Sequence, residues 1–349
     1  MDSESEKKFF AAANTSEGFK SYFEEIFFAP SIKKRYIIKG GPGTGKSSFM
    51  RRVAASAENA GHGVEYYYCS SDTRSLDGIV VDGTLAMLDG TAPHSYDTVL
   101  PAACDELINL GEFWRADEIF RNADAIRLLD KEKKQAYSLA YEFLRAAGAV
   151  KKCMESVHRE LLLEEKLGKA VKRAFDKLGL GGNAGGAQHT RQTVALGACG
   201  EIRLDTLKGL ARVRYGIDDY YDTAWAFLSR LLELARKGGC ECFVSYDNFS
   251  PSCPTEIYFP ECSVWFGASD APEDIRINMK RFIDHELLTK KRSAYRASRR
   301  CFEVTREMAL SSLSRAGRAH SKLEAYYVSN MDFARQSEYC SRFIGALSL

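Results

Sequence analysis

The 349-residue chain lacks any run of eighteen or more apolar residues, which excludes an ordinary membrane-spanning helix. Its opening residues, MDSESEKKFF, are polar, and no signal-peptide hydrophobic core follows them. A cytoplasmic location is therefore the expectation. The ten cysteines form no C-x-x-C pair; Cys240, Cys242, Cys253 and Cys262 lie nearest one another. A zinc ribbon is unsupported, and reduced, buried thiols are the expectation. A large excess of one charge is also missing. Lys and Arg number 49 against 47 Asp and Glu, for a formal net charge of +2. That balance argues against a dedicated nucleic-acid or membrane-surface binder.

What is present reads as an α/β protein of two domains. FKSYFEEIFF suggests a helix with an aromatic face. RYIIKG suggests a β-branched strand, followed by a glycine-rich loop and the helix FMRRVAASAENA. VEYYYC (64–69) and the apolar TLAMLDG (84–90) read as two further strands. Strand, helix and apolar strand in this order describe a mainly parallel sheet. From Asp105 to Leu178 the chain is charged and free of proline, as expected of one or two long helices. The glycine-rich LGLGGNAGGAQ (178–188) then marks a linker, dividing the chain into residues 1–180 and 190–349.

The second part repeats the order. LARVRY (210–215), ECFVSY (241–246) and CSVWFGA (262–268) are strand candidates. DTAWAFLSRLLELARKGG is a helix, and a charged helical tail runs from Pro272. At one constant spacing, Gly40 matches Gly216, Phe49 matches Trp225 and Gly63 matches Gly239. After a short insertion, Ala92-Pro93 matches Ala271-Pro272. Collinear matches of this kind indicate an internal duplication, each copy carrying a helical extension.

One motif carries specific chemistry. Gly40-Gly41-Pro42-Gly43-Thr44-Gly45-Lys46-Ser47 fits G-x-x-x-x-G-K-[ST] between a predicted strand and a predicted helix. Glycines let backbone amides approach phosphate oxygens, and the helix N-terminus adds positive potential. Lys46 would reach the β- and γ-phosphates, and the Ser47 hydroxyl would ligate Mg²⁺, with Ser48 following in the first helical turn. Leu85–Asp89, an apolar strand ending in a carboxylate, supplies the second metal ligand. Asp72 and Asp77 follow the second strand and could orient water or accept a proton. His94, in DGTAPH, could contact the γ-phosphate. No Glu follows Asp89, the place of the hydrolytic base in many ATPases.

In the second copy, the first spacing sets Lys46 against Asp222 and Ser47 against Thr223, and the spacing after the insertion sets Asp89 against Ala268 and His94 against Glu273. Acids and rings would fill the cradle, and Asp218, Asp219 and Asp222 would repel a polyphosphate. The second copy is therefore expected to keep the fold without nucleotide chemistry. A basic stretch from Lys290 to Arg318 reads as a solvated helix face paired with Glu303, Glu307 and Glu324, with nucleic-acid binding the lesser alternative.

KGGPGTGKSS, CSSDTRSLDG (69–78), LDGTAPH (88–94), NLGEFW (109–114) and the HSKLEAYY and NMDF segments together resemble a family of bacterial tandem P-loop ATPases. The resemblance implies two P-loop NTPase halves in one chain; here the second P-loop departs from that pattern. Three functions follow as expectations. The first is an Mg²⁺-dependent ATPase with one nucleotide site, acting on a protein partner through helical arms. The second is a small-molecule or nucleotide kinase using the same loop, and the third a nucleotide-gated binding protein with little turnover. ATP is favoured over GTP because no N-K-x-D segment is present.

Overall fold

A computed structural model describes residues 7–92, 94–180 and 186–347. Pro93 and the centre of the glycine-rich stretch therefore lie outside the described residues. The first half begins with β1 (Lys7–Phe10), the hairpin β2 (Ala12–Thr15) and β3 (Gly18–Ser21), and a short α1 (Phe23–Phe27). It continues through β4 (Lys34–Lys39), α2 (Lys46–Asn59), β5 (Val64–Tyr68), β6 (Leu76–Val81), β7 (Leu85–Asp89) and β8 (Asp105–Asn109). Helices α3 (Ala116–Arg121), α4 (Ala123–Leu161) and α5 (Glu164–Asp176) complete it. The second half opens with β9 (Gln188–Thr190), β10 (Val194–Gly197), β11 (Gly200–Arg203) and α6 (Thr206–Gly209). Then come β12 (Val213–Asp218), α7 (Ala224–Lys237), β13 (Cys242–Tyr246), β14 (Pro254–Phe259), β15 (Val264–Ala268) and β16 (Ile275–Asn278). Helices α8 (His285–Val328) and α9 (Phe333–Ala346) end the described chain.

The two halves are similar. Each builds a six-stranded sheet, in the orders β1-β5-β6-β7-β4-β8 and β9-β13-β14-β15-β12-β16. Neighbours run parallel except around β6 and β14, which are antiparallel to both flanking strands. Central β4 buries Tyr36, Ile37 and Ile38, as a strand covered on both faces must. Helix α2 buries Phe49, Met50, Val53, Ala54 and Ala57, a 3.6-residue stripe against the sheet.

Several expectations from sequence are corrected. Residues 105–109 form strand β8 rather than helix, and residues 275–278 form β16 within the supposed helical tail. Strands β6 and β14 had no clean alternating pattern: every residue of β6 is buried, so no polar face marks it. In FKSYFEEIFF only Phe23–Phe27 is helical, because Gly18–Ser21 pairs with β2. LARVRY starts its strand only at Val213. All ten cysteines are free, but Cys153, Cys199 and Cys301 are exposed.

The duplication holds with a different register. Ile38 pairs with Asp89 and Ile217 with Ala268, so Ile38 and Ile217 are equivalent. Helices α2 and α7 then begin at Lys46 and Ala224, which sets fully buried Phe49 against nearly fully buried Phe227. Gly216, matched to Gly40 by sequence, lies inside β12 instead. A Cβ there would meet Glu273 Cγ at 2.5 Å, so packing explains that glycine.

The long helices cross between the halves. α4 and α8 lie antiparallel: Glu160 near the end of α4 meets Lys291 near the start of α8, and Glu132 meets Arg315. At about 1.5 Å per residue, α8 spans about 66 Å. Leu167, Val171 and Ala174 of α5 enter the core of the second sheet beside Leu231 and Ala235. Reciprocally, Cys340, Tyr339 and Phe343 of α9 cover the first sheet, with Phe343 5.0 Å from Tyr36 and 5.3 Å from Phe49. A third core joins Phe27, Tyr67 and Leu88 to Tyr258 and Trp265. Residues on both sides of the 180–190 division thus build each of these cores. Among the described residues no helix is long and apolar enough to cross a membrane.

Candidate functional site

The loop between β4 and α2 runs from Gly40 to Gly45. Gly40 takes φ +146°, and a Cβ there would stand 2.7 Å from Thr44 Oγ1. Thr44 in turn donates to the Gly41 carbonyl at 3.0 Å. Gly45, at φ +80°, precedes α2 without a side-chain cap. The first-turn amides of α2 therefore have no side chain to accept from them, which is the condition for anion binding at a helix start.

Lys46 turns back over this loop. Its Nζ donates to the carbonyls of Gly40 and Gly41, each at 2.8 Å, and stands 3.5 Å from Asp89 Oδ2. Asp89 Oδ1 accepts from the Thr91 amide and hydroxyl at 2.8 and 2.5 Å. Burial pushes the Asp89 carboxyl above its ordinary range, and Lys46 opposes that shift. Ser47 Oγ accepts from the Leu76 amide at 3.1 Å, and Ser48 is exposed on the first turn.

The antiparallel pairing of β6 with β7 sets Asp77 beside Asp89. Asp77 is 5% exposed, and its Oδ2 has no hydrogen-bond partner. Burial, then the charge of Asp89, pushes its carboxyl up to about 8. His94 Nε2 stands 3.7 Å from that oxygen, and its Nδ1 is buried without a partner. The ring stacks on Phe23 at 4.0 Å and 11°, and burial lowers its pKa to about 4. Burial thus favours the neutral form of both groups.

The structure brings Gly40–Ser47, Asp89, Asp77 and His94 together. Asp72 is committed elsewhere. It accepts from Arg74 Nε at 3.0 Å and the Ser75 hydroxyl at 3.3 Å, fixing an exposed turn. Partial burial works against its charge, but Arg74 holds the carboxyl below its ordinary range.

Sequence reasoning missed the residues that cover the loop. A Cβ on Gly43 would meet Val328 Cγ2 at 2.5 Å and Glu324 Cγ at 3.2 Å. Gly41 faces Trp114 at 3.1 Å and Tyr327 at 3.8 Å, and Gly45 faces Gln336 at 3.5 Å. The α8–α9 elbow is fixed there by Arg115 on the Ser329 carbonyl and by the Asp332 amide on the Phe113 carbonyl. Only NLGEFW and the HSKLEAYY and NMDF segments hinted at these positions.

The second loop is one residue shorter, running from Asp219 to Thr223, and its residue assignments change. Ala224, not Asp222, stands at the place of Lys46, and Trp225 at that of Ser47; Ala268 does replace Asp89. Asp219 Oδ1 accepts from the Thr223 and Ala224 amides at 2.8 and 2.9 Å, filling the helix start with a carboxylate. Asp222 Oδ2 accepts from Tyr295 at 2.6 Å and Arg299 at 2.7 Å. Within the basic stretch of α8, Arg299 pairs with Asp222 and Arg306 with Glu201, as a face matched to neighbouring acids would.

No family model, curated protein or solved structure matches the chain.

Proposed function

We propose that the first half binds ATP with Mg²⁺ on the 40–48 loop and hydrolyses it. The observation that carries this reading is the Lys46 ammonium, held between the Gly40 and Gly41 carbonyls and Asp89 at the uncapped start of α2. Phosphate oxygens are stronger partners for that ammonium than neutral carbonyls are. Residues Gly40, Gly41, Pro42, Gly43, Thr44 and Gly45 would wrap the phosphates with their backbone.

The donors suit magnesium, which takes hard oxygen ligands: the Ser47 hydroxyl on the first turn of α2 and the Asp89 carboxylate beside Lys46. Bound there, the ion would neutralise charge on the β- and γ-phosphates. Asp77 Oδ2 and His94 Nε2 face each other there at 3.7 Å without a hydrogen bond between them. The second half contributes no phosphate loop, since Asp219 fills its helix start.

Nucleotide-gated binding with slow turnover is a second reading, favoured by the α8–α9 elbow resting on the loop. The test is ATP binding and phosphate release by wild type and Lys46→Ala. Loss of both in the variant is expected, and equal binding by the two proteins would refute the site. Phosphate release well below about 1 per second would favour gating.

A further inference from the structure

Beside the phosphate loop lies an open apolar cavity of about 310 Å³. Ile119 and Phe120 of α3 and Ala123, Ile126 and Arg127 of α4 line it, with Tyr327 of α8. Helix α3 buries none of its residues, and Phe120 is 78% exposed. An exposed Phe at the rim of a cavity leaves a π-face with nothing stacked on it.

Tyr327 stands between the cavity and the loop. That ring lines the cavity, reaches within 3.8 Å of the Cβ position on Gly41, and packs 5.5 Å from Trp114. Trp114 also rests against the loop at Gly41, and its indole N–H is buried without a partner. The segment carrying these residues follows β8, which flanks β4 on the side away from Asp89. One ligand anchored by its phosphates at α2 could therefore extend a flat ring away from Asp89.

We propose that this cavity receives the purine base of the nucleotide whose phosphates occupy the 40–48 loop. The inference rests on the nucleotide reading above and adds the base site. Aromatic faces at Phe120 and Tyr327 supply stacking, which any base accepts. Arg127 is a donor in the lining that ring-nitrogen and carbonyl acceptors of either purine can meet. Arg127 also holds Asp124 at 2.9 Å, at the surface.

The experiment measures binding of Mg-ATP, Mg-GTP and magnesium tripolyphosphate to wild type, Phe120→Ala and Phe120→Trp. Phe120 is exposed and contacts no part of the phosphate loop in the bonds and packing above, so its loss spares the fold. We expect Phe120→Ala to weaken ATP and GTP each about tenfold and to leave tripolyphosphate unchanged, with Phe120→Trp restoring both nucleotides. If ATP and tripolyphosphate weaken together, or ATP is indifferent to Phe120, the base site is overturned while the phosphate site stands. If wild type binds neither ATP nor tripolyphosphate, both readings fall.

Discussion

Asp219 closes the start of α7 with its own carboxylate, accepting from the Thr223 and Ala224 amides, whereas Gly45 leaves the start of α2 open. The two halves thus share a sheet order and differ at the point where a phosphate would bind. Burial outweighs these amide bonds and leaves the Asp219 carboxyl above its ordinary range. Replacing Asp219 by Ala removes the cap and should cost about 1 kcal/mol of stability, with Asn restoring most of it. Urea unfolding of the three proteins checks this.

The surroundings of Lys46 separate two aspartates that looked alike in sequence. Asp89→Asn should lower phosphate release by about 100-fold, because it removes the carboxylate that stands 3.5 Å from Lys46. Asp72→Asn should change it little, since Asp72 serves Arg74 and Ser75. Steady-state phosphate release under saturating Mg-ATP gives the comparison.

Asp77 makes stability depend on pH. Its folded carboxyl titrates near 8 against an ordinary value of 3.8. The folded state keeps a proton that the unfolded state loses above that ordinary value. The contribution is complete in acid and is lost as pH rises toward 8. Asp77→Asn is neutral throughout, so its Tm should gain on wild type from pH 4 to 8 and then level off. A Tm series across that range, in which the gap stayed constant, would contradict the assignment.

Gly43 carries two constraints at once, a φ of +70° and the Val328 methyl at 2.5 Å. Gly43→Ala should destabilise the protein by about 1–3 kcal/mol. Val328→Ala should recover the steric part only, leaving the backbone strain. A double-mutant cycle by chemical denaturation measures the coupling.

Residues 1–180 expressed alone should not fold stably. They would leave Phe49 and Tyr36 without Phe343 of α9, and would expose the α5 face that packs beside Leu231. Truncating a buried Phe costs about 3–5 kcal/mol by itself, a large share of a domain's margin. Circular dichroism of the fragment, alone and mixed with residues 186–349, tests whether the second half rescues it.

The sequence by itself determined the glycine-rich loop between β4 and α2, the strand that ends in Asp89 and the existence of a duplication. Those features depend on local chemistry: glycine backbone freedom, one lysine, apolar strands and helical periodicity. It did not determine the register of the second copy. Glycine identity pointed to Gly216, while strand pairing placed Ile217 opposite Ala268 and Ala224 at the lysine position. Nor did it determine β6, because a strand buried on both faces next to glycines and turns shows no alternation. Only tertiary structure decided that Asp77 faces Asp89, and that α8 and α9 rest on a loop some 280 residues away in sequence. These are contacts between surfaces, set by which apolar stripe finds which sheet. No spacing of residue types along the chain encodes them.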